Sequence, residues 1–95
     1  MLKTESKITS PDNILYSQVG DELIILDLLS GKYFSLNETA AKIFKMFIKD
    51  SLSFGEVMSI LKTEYPEAPE YDILKDVNDI VNDLKKSGIF NFEDN

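Results

Sequence analysis

Apolar and polar positions alternate in the first third of the chain and recur with a helical period in the rest. Ile14-Leu15-Tyr16-Ser17-Gln18-Val19 is rich in β-forming residues, and Gly20-Asp21 offers a tight turn into Leu23-Ile24-Ile25-Leu26. After Asp27 and the Leu28-Leu29-Ser30-Gly31 connection, Lys32-Tyr33-Phe34-Ser35-Leu36 puts Phe34 and Leu36 on one face and Tyr33 and Ser35 on the other. Three short strands with short links predict an antiparallel meander whose first and third strands lie at the edges.

From Asn37 the period changes. Ala40, Ile43, Phe44, Phe47 and Ile48 follow the i, i+3, i+4, i+7 pattern behind Asn37 as N-cap, which predicts a helix ending near Lys49-Asp50. Ser53-Phe54-Gly55-Glu56 has the capping-box spacing. The helix it opens is expected to turn Phe54, Val57, Met58, Leu61 and Tyr65 inward and to stop at Pro66. Ile73, Leu74, Val77, Ile80, Val81 and Leu84 mark a third, longer helix, closed by Lys85-Lys86 and Gly88. The expected fold class is α+β, a three-stranded antiparallel sheet followed by three helices. One domain over residues 14–90 is expected. A polar, flexible lead-in over residues 1–13, ending in a Ser10-Pro11-Asp12-Asn13 turn, precedes it, and a polar tail over residues 91–95 follows.

Composition narrows the chemistry. The 95 residues fit a single modest core, and the formal net charge of −7 opposes phosphate backbones and anionic membrane surfaces while attracting basic peptides. The chain holds neither cysteine nor histidine, so it lacks thiolate chemistry, the usual general base and the commonest metal ligands. Its four glycines sit in separate turns and caps, which leaves no phosphate-cradling loop. No catalytic residue, cofactor or metal site is therefore expected. Asp72, Asp76, Asp79 and Asp83 share a face of the last helix; without a glycine-bent loop they read as a solvated surface that also attracts cations. The start carries no apolar signal region and no apolar run is long enough to span a membrane, so the default compartment is the cytoplasm. An edge strand bearing Tyr33 is either guarded by Lys32 or used, by an extended peptide adding as a fourth strand.

Gly31-Lys32-Tyr33-Phe34-Ser35-Leu36-Asn37-Glu38-Thr39-Ala40 resembles the glycine, tyrosine, Leu-Asn, small-residue signature of the PqqD-like proteins, also called RiPP recognition elements. The resemblance runs through the first two strands, Phe44, the Ser53–Tyr65 helix and Leu84-Lys85-Lys86-Ser87-Gly88-Ile89. It implies a winged-helix-like fold that binds the leader segment of a ribosomally made precursor peptide, and the acidic field of this chain would suit a lysine-rich one. Such a protein acts as a peptide chaperone in natural-product biosynthesis, presenting the peptide to a tailoring enzyme such as a radical SAM protein or a leader peptidase. Carried onto this sequence, the pairing edge is Lys32, Tyr33, Phe34, Ser35 and Leu36. Val77 and Ile80 would supply apolar contact, with Asp76 and Asp83 at the rim. Two other readings compete: a winged-helix DNA-binding regulator, which the acidic last helix disfavours, and a permanently docked structural subunit of a larger enzyme.

Overall fold

A computed structural model describes residues 3–91. Strands β1 (Ile14–Val19), β2 (Glu22–Asp27) and β3 (Tyr33–Leu36) form an antiparallel sheet in the order β1-β2-β3, so β1 and β3 are its edges. Helices α1 (Glu38–Ile48), α2 (Phe54–Glu64) and α3 (Glu70–Lys86) follow. The expected α+β order is the observed one.

Local chemistry sets the element boundaries. Gly20, at φ +61°, makes the two-residue turn between β1 and β2. Asn37 Oδ1 accepts from the Ala40 amide at 2.9 Å to open α1, and the Ser53–Glu56 capping box opens α2 with both reciprocal bonds formed. Beyond α3, Gly88 at φ +79° reverses the chain, and the Ile89 and Phe90 amides donate to the Leu84 carbonyl.

One face of the sheet packs on the helices. Leu23, Ile25 and Leu36 are buried there with Ile43, Phe44 and Phe47 of α1, Val57 and Leu61 of α2, and Val77 and Val81 of α3. Phe90 completes the core, stacked on Phe44 with centroids 5.7 Å apart and edge-on to Phe47 at 6.0 Å.

Two expectations need correction. Tyr65 is 51% exposed and does not point inward. It is the C-cap of α2, with φ −124° and ψ 66°, so it has left the helix whose stripe it was expected to extend, and Lys42 Nζ lies over its ring. The lead-in, expected to hang free, is tied to the domain over its described part. Ile8 is buried, Thr9 exchanges both backbone bonds with Asn91, and the Ser6 and Thr4 carbonyls accept from the Phe54 and Gly55 amides. Those two amides are first-turn donors of α2 with no partner inside the helix, which is why an extended segment can dock there. Asn91 accordingly belongs to this pairing, and the remainder of the expected tail, residues 92–95, lies outside the described residues.

Candidate functional site

The third strand is an edge with one unpaired backbone side, and it carries Tyr33, 72% exposed; β1, the other edge, carries Tyr16 at 40%. The register of β3 against β2 pairs Leu23 with Leu36, Ile24 with Ser35, Ile25 with Phe34 and Leu26 with Tyr33. The Asp27 amide donates to the Lys32 carbonyl at 2.9 Å, and on the other side of β2 the Leu28 amide donates to Asn13. Antiparallel pairs alternate between bonded and non-bonded positions, so odd-numbered residues of β2 bond to β3 and even-numbered ones to β1. Phe34 and Leu36 therefore turn their backbone groups to β2. Tyr33 and Ser35 turn theirs to the open edge.

The side chains divide in the same register. Leu36 is buried and Phe34 half-buried on the core side, while Tyr33 is 72% exposed and Ser35 exposed on the other. Ser35 Oγ donates to Glu22 Oε2 at 2.8 Å. Lys32 is exposed at the entrance to the strand, where its amide donates to Ser30 Oγ. The strand is held from behind by α1, and α3 packs on α2.

Asp27 fixes the turn that leads into this edge. Its Oδ1 accepts from Asn13 Nδ2 at 2.8 Å and from the Leu29 amide at 3.0 Å, and its Oδ2 accepts from Ser30 Oγ at 2.9 Å. Chiefly the Asn13 bond, then those from Ser30 and Leu29, hold the Asp27 carboxyl below the usual aspartate value. Nothing in the sequence pattern singled Asp27 out, although an aspartate two residues before a loop amide is a common turn-former.

The α3 residues named from the sequence are placed less uniformly. Asp76 and Asp83 are exposed and Ile80 is half-buried against the core, while Val77 is only 1% exposed. Asp76 and Val77 line a small apolar hollow with Thr39, Ile43, Leu61 and Tyr65, just past the end of β3; Ile80 and Asp83 lie outside it. The hollow, with the outward-turned Tyr65 in its wall, leaves no periodic signal in the sequence. Along α3 the acids remain solvated, and Asp79 is paired with Lys75 at 3.0 Å, which raises the lysine's pKa. Among the described residues no cluster of acidic side chains is arranged to hold a metal ion, and no helix is long and apolar enough to cross a membrane.

A short antiparallel sheet with an open third strand, backed by a three-helix layer, defines a class of small α+β domains with a sheet edge free to accept an added strand. The family model of Coenzyme PQQ synthesis protein D (PqqD) matches residues 22–89, and the chain belongs to that family. Among solved structures it is similar to the lasso peptide synthetase B1 complexed with its leader peptide, at 30% identity and a TM-score of 0.80, covering 90% of this chain and 98% of that one. It shares its fold with TbiB1, solved in complex with the TbiA(beta) leader peptide, at 18% identity and a TM-score of 0.82, covering 92% of this chain and 99% of that one. The expected α+β fold, a three-stranded antiparallel sheet followed by three helices, is thus shared with both. No curated protein matches the chain.

Proposed function

We propose that this protein binds the leader segment of a ribosomally made precursor peptide by strand addition at β3 and presents it to a separate tailoring enzyme, a radical SAM protein or a leader peptidase. The observation that carries the reading is the open β3 edge, where Tyr33 and Ser35 offer backbone donors and acceptors to a fourth strand. Family membership and a 30%-identical neighbour solved with a leader peptide support it. A leader lying along Lys32, Tyr33, Phe34, Ser35 and Leu36 passes the hollow above Val77, where an apolar leader side chain fits. Asp76 and Asp83, with Ile80 between them, offer a rim for lysines. The protein does no chemistry of its own in this scheme and works in the cytoplasm, where precursor peptides are made.

The alternatives are not favoured. Exposed Asp72, Asp76, Asp79 and Asp83 on α3 repel phosphates, against a DNA reader. The two solved neighbours are described as complexes with leader peptides, which favours a peptide-binding role over that of a purely structural subunit.

The test is calorimetric titration with the N-terminal half of any short candidate precursor found among the reading frames beside the gene. Saturable one-to-one binding is expected, and its loss in Ser35→Pro but not in Ser35→Ala ties it to the edge amide. Absence of binding to the wild-type protein would refute the proposal.

A further inference from the structure

A chain of polar bonds runs from the N-terminal segment to the first residue of the proposed leader edge. Asn13, half-buried just before β1, grips the β2–β3 loop twice. Its Nδ2 donates to Asp27 Oδ1 at 2.8 Å, and its carbonyl accepts from the Leu28 amide at 2.9 Å. Ser30 Oγ donates to Asp27 Oδ2 at 2.9 Å and accepts from the Lys32 amide at 3.2 Å. Across the same loop the Asp27 amide donates to the Lys32 carbonyl at 2.9 Å, and the Gly31 amide donates to the Asp27 carbonyl at 2.7 Å. Of the bonds that hold the Asp27 carboxyl below the usual aspartate value, the one from Asn13 contributes most. Leu28, Leu29, Ser30 and Gly31 are all exposed, so no buried side chain anchors the loop and these polar bonds keep it in one conformation.

What these bonds fix is the direction of one peptide plane. The Lys32 carbonyl and the Tyr33 amide belong to the same planar trans peptide, so they point to opposite sides of the strand. With the carbonyl turned to Asp27 on β2, the Tyr33 N–H is turned to the open edge. We propose that Asn13 is a positioning residue for leader binding: through Asp27 and Ser30 it holds the Lys32–Tyr33 peptide so that the Tyr33 amide is aimed at the incoming strand before it arrives. This rests on the leader-binding reading above. Asn13 itself lies across β2 from the edge, next to Ile14, and touches no leader in this scheme. Its effect is large because β3 is four residues long and turns only Tyr33 and Ser35 outward, so one misdirected amide removes a large part of the pairing. A loop free to sample other conformations would offer the edge for only part of the time, and apparent affinity falls by that fraction.

The experiment compares Asn13→Ala and Ser30→Ala with Ile8→Ala, which removes a buried side chain away from the edge. The probe is the N-terminal half of a candidate precursor from the neighbouring reading frames, followed by stopped-flow association and dissociation. Asn13→Ala and Ser30→Ala should each weaken binding about fivefold or more. The loss should fall on the on-rate, because the edge is competent for less of the time, while dissociation stays within about twofold of wild type. In the unbound variants the Asp27 and Gly31 amides, bonded across the loop, should exchange faster. Ile8→Ala should keep both rates within about twofold of wild type, although it costs stability. Wild-type affinity in Asn13→Ala and Ser30→Ala overturns the proposal and leaves leader recognition standing. Equal losses in all three variants overturn it too, by making overall stability the cause. A loss carried by faster dissociation, with the on-rate kept, overturns it by placing the loop against the bound peptide. Should Asn13→Ala fail to fold, Ser30→Ala on the exposed loop decides between these outcomes. Failure of the wild-type protein to bind the probe removes the leader-binding reading and this proposal with it.

Discussion

At the scale of single residues, the fold depends on a few side chains whose roles are polar or steric and leave little trace in a hydrophobic pattern. Asp27 is the clearest. Its carboxylate is stabilised in the folded turn by Asn13, Ser30 and Leu29, so its folded pKa lies below the ordinary 3.8. A depressed acid stabilises the folded turn above its unfolded pKa and loses that contribution as pH falls through the folded one. The Leu29 and Ser30 amide resonances should therefore move between neutral pH and the region below 3.8, and Asp27→Ala should abolish that titration while loosening the turn. Ile8 is a second case. A lone isoleucine between Lys7 and Thr9 has no periodicity to announce it, yet it is 3% exposed. Ile8→Ala should cost about 3 kcal/mol and lower the melting temperature by roughly 10–20 °C. A shift of a degree or two would mean the segment is dispensable. Gly55 shows the same segment from the other side: a Cβ there would lie 2.3 Å from Thr4 Cγ2 and 2.9 Å from the Thr4 carbonyl, so Gly55→Ala should release the strap from α2.

At the scale of elements, strands, helices and caps were largely legible, because period-2 alternation, period-3.6 recurrence and the Asn37 and Ser53 caps agree with one another. Tyr65 was misread because Pro66 sets where α2 ends but not where the last side chain before it turns. The edge was legible as an edge. Which amides face outward was not, since that parity depends on the Asp27–Lys32 and Leu28–Asn13 bonds and no residue type encodes it. Once the parity is known, two prolines separate pairing from folding. Ser35→Pro removes a donor from the open edge and should weaken leader binding about tenfold or more with the sheet kept. Phe34→Pro removes a donor to β2 and should instead lower the melting temperature. Ile80→Asp is the poorer probe, because Ile80 packs partly against the core and its loss would mix binding with stability.

At the scale of the whole molecule, charge and topology act on different quantities. In the proposed scheme the net charge of −7 and the solvated aspartates of α3 set up a field that would steer a cationic leader, while strand addition would hold it through backbone bonds. Stopped-flow association should therefore slow as salt shortens the screening length from about 10 Å at 0.1 M to about 3 Å at 1 M, with dissociation changing less. An on-rate indifferent to salt would remove steering without touching the edge.

The central claim is that the leader becomes a fourth strand on β3, and amide hydrogen exchange with and without leader peptide reads it residue by residue. Phe34 and Leu36, already bonded to β2, should be protected in both states, whereas Tyr33 and Ser35 should exchange freely in the unbound protein and become protected on binding. Protection that appears instead at Ile14, Tyr16 and Gln18 along the β1 edge, or along α2, would contradict the account.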